Sequence, residues 1–351
     1  MHRAVNACDA YPPGVARDRP VVGWLGRAMM KFVRLITTGG TIATTTKANR
    51  TAARLSANEL IHRTVTDHDV DATVKIEEIL QVPSWSLDAR AMSQIAMTVR
   101  AAAREPEVSG VVMTHGTTTM EYSAYLADLF VDTDVPVVFT GAMRNADAPD
   151  ADGPRNLADA LRVAIHDGSR SIGVVVCFAG KVFGARDVRK NHREALDAFT
   201  GGSLGTIGES GFNLVNQPRR PRIFKEPIEP NVGMVKAFPG CGRDQIDLLV
   251  AGGSRGIVVE GLPGSGGIPP EMQPGLRDAA QKGLPVVVAS RAPLGRVPSP
   301  PTGGTEAPLQ DMDLISAGDL TTEKAWVLLM AVLGETSDRQ ALRKIWHEVA
   351  G

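Results

Sequence analysis

The chain is poor in cysteine, in aromatic residues, in long apolar runs and in excess charge of either sign. Its three cysteines, Cys8, Cys177 and Cys241, are odd in number and form no CxxC pair. A disulfide framework is therefore not expected, and a reducing compartment is favoured. Cys177 lies inside the apolar run Ile172-Gly-Val-Val-Val-Cys-Phe178 and reads as a buried structural thiol. No apolar stretch approaches the roughly 18 residues a membrane span needs. Lys and Arg (38) balance Asp and Glu (39) for a net charge of −1, which leaves none of the basic excess of a nucleic-acid binder. The seven histidines, His2, His62, His68, His115, His166, His192 and His347, include no pair at metal-ligand spacing with a second His or Cys. No metal and no organic cofactor are expected. The first 30 residues carry only the short apolar run Val21-Val-Gly-Trp-Leu25, less than the h-region of a signal peptide. They read as a disordered extension, with the fold beginning at Lys31 and a cytoplasmic location expected.

What is present is a regular alternation. At 351 residues the chain suits two domains of unequal size. Strands are predicted at Phe32–Thr37, Ala72–Leu80, Gly110–Thr114, Val135–Thr140 and Ile172–Phe178. Helical patterns lie between them: one opened by the capping box Ser56-Ala-Asn-Glu59, one capped by Asp88 and running to Arg104, one over Thr119–Phe130, and one capped by Asp152. Strands alternating with helices imply a parallel sheet covered on both faces, an α/β fold. The proline-rich stretch Asn216–Pro230 reads as a linker. Beyond it the alternation resumes on a smaller scale, with strands at Val232–Phe238, Gly256–Glu260 and Pro285–Ser290. Two helices close the chain, the last opened by a Ser337-Asp-Arg-Gln340 box. The predicted organisation is an extension over 1–30, a larger parallel-sheet catalytic domain over 31–216, a linker over 217–230 and a smaller α/β domain over 231–351.

In open α/β sheets, ligands bind beyond the carboxyl ends of the strands. Three unusual segments fall there. Thr37-Thr-Gly-Gly-Thr-Ile-Ala43 follows the first strand, and its glycines permit a tight turn and close backbone approach. Thr114-His-Gly-Thr-Thr-Thr-Met-Glu121 joins a buried strand to a helix start, where N–H groups can hold a carboxylate or an oxyanion. Ala185-Arg-Asp-Val-Arg-Lys-Asn-His192 follows the strand ending near Phe178. Each also admits a plain reading, as a turn, a set of helix caps or a solvated charged run. Neither GxxxxGK[ST] nor GxGxxG occurs at the first loop.

Together, and in this order, the segments resemble the bacterial-type L-asparaginases. The resemblance rests on Thr38-Gly-Gly-Thr-Ile-Ala43, Thr114-His-Gly-Thr117 with Thr119-Met-Glu121, Phe139-Thr-Gly-Ala-Met-Arg144, Ala151-Asp-Gly-Pro-Arg-Asn-Leu157 and Arg186-Asp-Val with Lys190. It runs from about Met30 to the C-terminus. It implies that Thr41 attacks the amide carbon, that Thr117 is a second catalytic threonine bonded to Lys190, and that Gly40 and Gly116 shape the oxyanion turn. A threonine hydroxyl needs such a base to act at neutral pH, and a partly desolvated lysine can supply it. It also implies that Ser84 holds the substrate's α-carboxylate and that Glu306 is lent by a neighbouring subunit to the α-amino group, in a homodimer or homotetramer. A left-handed crossover in the larger domain is implied as well.

Two departures bear on substrate. Thr118 stands where the family typically has an aspartate that contacts the substrate's α-amino group, and Trp85 follows Ser84 where a polar residue is common. Tyr122 and Tyr125 read as helix packing residues. The expected activity is hydrolysis of L-asparagine to L-aspartate and ammonia through an acyl-enzyme. The alternatives are another small amide (glutamine, a D-amino acid amide or an amide without a free α-amino group) and a non-catalytic amide-binding relative. No nucleic-acid or membrane partner is expected.

Overall fold

The computed structural model describes residues 31–45, 53–68, 70–208, 211–220, 222–299 and 312–351. The expectations for the first 30 residues and for Glu306 lie outside them.

The larger sheet is built from β1 (Phe32–Thr37), β4 (Thr73–Glu78), β5 (Gly110–Thr114), β6 (Val137–Thr140), β7 (Val174–Phe178), β8 (Lys181–Gly184), β11 (Ser203–Gly208) and β12 (Gly211–Leu214). Two small pairs lie outside it: β2 (Thr44–Thr45) with β3 (Ala53–Arg54), and β9 (Arg189–Lys190) with β10 (Phe199–Thr200). The strand order is β12-β11-β8-β7-β6-β5-β1-β4. Strands β4, β1, β5, β6 and β7 are parallel, as the alternation implies. The far edge is not: β7/β8, β8/β11 and β11/β12 are antiparallel, so the sheet is mixed. The reason is local. Ala179 (φ 50°) and Gly180 (φ 72°) both take left-handed backbone and fold β8 straight back on β7, a two-residue turn of the kind that joins hairpins.

Helices α1 (Ala57–Asp67) and α4 (Gly153–Ile165) cover one face, packing Leu60, Leu157 and Leu161 against Leu35, Val112, Val138 and Val175. On the other face, α2 (Ala89–Ala103) and α3 (Met120–Phe130) pack Ile95, Val99, Leu126 and Leu129 against Val111, Met113, Val137 and Val176. The alternation of Val111/Val112 and Val137/Val138 between the two cores is the period-two side-chain pattern of a strand buried on both faces. Crossovers β5–α3–β6 and β6–α4–β7 step the same way across the sheet yet place their helices on opposite faces. They therefore have opposite hands, and one is the left-handed exception to the usual rule.

The second sheet is wholly parallel: β13 (Val232–Lys236), β14 (Gly256–Gly261), β15 (Val286–Ser290) and β16 (Ile315–Ser316). Helices α5 (Asp244–Ala251) and α6 (Gln273–Gln281) flank it on one side, and α7 (Thr322–Glu335) and α8 (Arg339–Ala350) on the other. Both closing helices start on capping side chains. In α8 the cap is Asp338, accepting from Ala341 N, one residue later than the Ser337 box predicted. A carboxylate satisfies an N-terminal N–H and also complements the helix dipole, which a serine hydroxyl does less well. One apolar core runs continuously from α2 and α3 through Phe224 into α7, α8 and the second sheet.

Candidate active site

The sheet order itself opens a crevice. From β1 the chain leaves toward α1 and β4, and from β5 it leaves toward α3 and β6, on the opposite face and in the opposite direction. The loops after β1 and β5 therefore part at a topological switch point. The register sets Thr37 beside Thr114 and Thr114 beside Thr140 at the strand ends, so the segments that follow these three strands start side by side.

Backbone contact then locks the first two. Gly40 has φ 89°, and a Cβ there would lie 2.8 Å from Gly116 Cα. A Cβ on Gly116 would in turn lie 2.6 Å from Ser84 Oγ. Loops carrying Thr41, Ser84 and Thr117 can therefore stack only because positions 40 and 116 have no side chain. Thr41 follows Gly40 and opens a single 3-10 turn over Thr41–Ala43, with Ile42 and Ala43 buried beneath it and Thr41 half-exposed. Thr38 Oγ1 donates to Thr114 O at 3.0 Å, tying the two loops at their roots. Ser84 Oγ is buried and makes no protein hydrogen bond. Among the described residues, the N–H groups of Gly40, Thr41, Gly116, Thr117 and Thr118 donate to no protein acceptor. Those of Gly116, Thr117 and Thr118 lie just ahead of α3, whose N-cap residue Thr119 makes no side-chain cap and donates its hydroxyl to Ser84 O at 2.9 Å, and those of Gly40 and Thr41 lie on the loop packed against Gly116. Such a cluster of unpaired donors at a helix N-terminus suits a carboxylate or a developing oxyanion.

Lys190 arrives from the third segment. Its Nζ donates to Thr117 Oγ1 at 2.7 Å, and its backbone N–H donates to Glu121 Oε2 at 2.8 Å. Partial burial pulls the lysine pKa below its usual value, and the Glu121 charge opposes that pull. Burial raises the Glu121 carboxyl, with Lys324 the leading charge holding it down. A lysine easier to deprotonate, bonded to a buried threonine hydroxyl, is a base in position. His115 is fully buried beside it. Desolvation takes its pKa down to about 4, so the ring is neutral, and Nδ1 lies 2.7 Å from Gly116 O and donates to it. His115 thus holds the loop through a structural hydrogen bond.

A second layer holds the loop after β6 under this turn. Asp152 stands at the N-cap of α4, but its carboxylate reaches back to the N–H groups of Met143 and Arg144 and to Asn156 Nδ2. Asn156 Nδ2 also donates to Gly141 O, and Asn156 Oδ1 accepts from Ala179 N. A Cβ on Gly141 would meet His115 O at 2.4 Å. This knot is why Ala151–Leu157 belongs with the site although it carries no reacting group.

The structure thus assembles Gly40, Thr41, Ser84, Gly116, Thr117 and Lys190. Thr118 is exposed at the edge of the turn, and Trp85 is 73% exposed next to Ser84. Tyr125 is buried and Tyr122 packs edge-on against Trp326, both as packing residues. Lys324, a buried lysine of α7 that reaches Glu121 and Ala185, carries no mark in the sequence. In the sequence, Thr321, Thr322 and Glu323 read as any capped helix start, so no signal set it apart. Among the described residues no His, Cys, Asp and Glu side chains cluster as a metal site, and no helix is long and apolar enough to cross a membrane.

Residues 32–221 match the asparaginase N-terminal family, and residues 231–346 the glutaminase/asparaginase C-terminal domain. The "probable L-asparaginase periplasmic" of Haemophilus influenzae is 31% identical over 330 residues, covering 90% of this chain and 92% of that protein. A glutaminase-asparaginase of Acinetobacter glutaminasificans is 30% identical over 331 residues, covering 90% and 98%. The crystal structure of a probable cytoplasmic L-asparaginase from Campylobacter jejuni superposes with a TM-score of 0.80 at 30% identity, covering 91% of this chain and 99% of that one. The chain belongs to the asparaginase family.

Proposed function

We propose that the protein hydrolyses the side-chain amide of L-asparagine to L-aspartate and ammonia, with Thr41 as nucleophile and Thr117 with Lys190 as the base-bearing pair. The observation that carries this is the 2.7 Å bond from Lys190 Nζ to Thr117 Oγ1, beside a turn whose glycine backbone abuts the one preceding Thr41. Neutral Lys190 and Thr117 accept the proton of the attacking hydroxyl. Thr41 Oγ1 bonds to the amide carbon, whose oxygen becomes an anion facing the unpaired N–H groups of the two loops. Collapse of that intermediate breaks the carbon–nitrogen bond, and the proton passes to the leaving amine, so ammonia departs. Water then attacks the Thr41 ester, which releases the acid and restores the hydroxyl. Ser84 Oγ, buried and without a protein partner, is suited to the substrate's α-carboxylate.

A second reading keeps the chemistry and changes the substrate to an amide without a free α-amino group. It is favoured by exposed, uncharged Thr118 and by exposed Trp85. Initial rates of ammonia release from L-asparagine, L-glutamine, D-asparagine and succinamic acid separate the two. A kcat/KM for succinamic acid above that for asparagine would make the second reading the main one. Assembly as a homodimer or homotetramer, with Glu306 reaching a neighbour's site, and a cytoplasmic location complete the proposal. Sedimentation velocity would test the assembly, and a monomer at full activity would overturn it.

A further inference from the structure

Lys324 is unlike the other charged residues of the fold. It lies in the first turn of α7 among Ala325, Val327 and Leu328 and is 1% exposed. Its Nζ donates to Glu121 O at 2.6 Å and Ala185 O at 2.7 Å, and stands 5.3 Å from the centre of the Tyr125 ring. Among the described residues no carboxylate forms an ion pair with it. The charges that face it are Glu121 and Asp128 from α3, Asp187 from the turn after β8, and Glu323 from its own helix; burial nonetheless brings its pKa down to about 8. The ammonium is thus the main form at neutral pH. Burying an ammonium carries a desolvation cost, which a Met or Leu at this position would avoid. Packing gives no reason for a lysine here.

The two carbonyls give one. Glu121 follows Thr117 by four residues, at the head of α3, and Ala185 precedes Lys190 by five, at the end of β8. Lys190 N–H closes onto Glu121 Oε2, and Lys190 Nζ onto Thr117 Oγ1. The chain from Thr117 to Glu121, the Lys324 bridge, the chain from Ala185 to Lys190 and the Lys190–Thr117 bond form a closed ring. We propose that Lys324 is a positioning residue for the reaction: by holding the Glu121 and Ala185 carbonyls, the C-terminal domain sets the separation of Thr117 and Lys190. The proposal rests on the reading of Thr117 and Lys190 as the catalytic pair. Loss of about 1 Å in such a geometry commonly lowers turnover by about a hundredfold.

The test is Lys324→Met, which keeps an unbranched side chain and removes both donors, with Lys324→Gln as the alternative should the Met variant not fold. Lys190→Met is the control. For each folded protein, kcat and KM for asparagine are measured across pH, together with thermal denaturation. In the Lys324 variant kcat falls about tenfold to a hundredfold, and KM stays within about threefold, since Lys324 touches no substrate group. The acid limb of kcat also moves to lower pH. Without the bridge the chains that carry Glu121 and Lys190 move apart, so the Glu121 charge that supports the Lys190 ammonium acts from further away. A merely smaller folded fraction would scale the profile without moving its limb. A folded variant with wild-type kcat, or with a scaled but unmoved profile, overturns the proposal. Full activity of Lys190→Met would instead overturn the catalytic pair itself.

Discussion

At the scale of single residues, the proposed chemistry turns on how few charges surround Lys190. Burial lowers its pKa, and only the Glu121 carboxylate pulls the other way. Thr118, at the exposed edge of the same turn, adds no charge. Introducing one has a defined direction. In Thr118→Asp the new carboxylate favours the Lys190 ammonium, raises its pKa and moves the acid limb of kcat to higher pH. It also attracts the substrate's α-ammonium group, so KM for asparagine falls by about threefold to tenfold while KM for succinamic acid does not. The check is a pair of pH–rate profiles, one per substrate. Equal effects on both would mean that Thr118 does not face the α-amino group.

At the scale of elements, the loops are held by the absence of side chains. Gly40→Ala would place a Cβ 2.8 Å from Gly116 Cα in backbone with φ 89°. Either neighbour must give way, and the left-handed conformation alone costs about 1–3 kcal/mol. The variant should fold, since Gly40 itself is partly exposed and belongs to neither core, but should lose kcat/KM by about a hundredfold or more. Wild-type kinetics in Gly40→Ala would show that the contact between the two loops is not needed for turnover.

The same elements mark what the sequence could show. The central parallel strands were legible because Val111, Val112, Val137 and Val138 form short all-apolar runs between capped helices. Ser56 and Asp88 announced their helices by local chemistry that the structure keeps. The strands from Lys181 to Leu214 were not legible, because their hairpin depends on Ala179 in a conformation alanine rarely adopts. In the candidate site, Thr41, Thr117 and Lys190 were singled out through motif order. Asn156 and Lys324 were not, since their roles rest on partners 15 to 203 residues away, Gly141 for Asn156 and Glu121 for Lys324. Distance along the chain hides such partners from any local pattern.

At the scale of the whole molecule, two buried groups set opposite pH dependences of stability. His115 has a folded pKa of about 4 against 6.5 when solvated. Its contribution is fully present above pH 6.5 and is lost as pH falls toward 4. Asp128 is raised from 3.8 to about 6 by burial, against the pull of Arg220. Its buried carboxylate weighs against the fold above pH 6, and that burden is relieved as pH falls toward 3.8. Each corresponds to about 3 kcal/mol, so between pH 6 and 4 they largely offset. In Asp128→Asn the histidine's effect is no longer offset by Asp128. Urea unfolding at pH 8, 6 and 4.5 should show that variant losing about 2 kcal/mol more than wild type across the acid range. Parallel loss in the two proteins would contradict the offset.

The central claim is that Thr41 forms the ester from which the acid is released, and one measurement bears on it directly. Purified protein and Thr41→Ala are each supplied with L-asparagine, ammonia and aspartate are followed together, and the fold of each is checked by circular dichroism. The predicted result is equimolar ammonia and aspartate from wild type, and in a folded Thr41→Ala a turnover lower by about four orders of magnitude or more. Near-normal ammonia release by Thr41→Ala, or none by the wild-type protein, would contradict it.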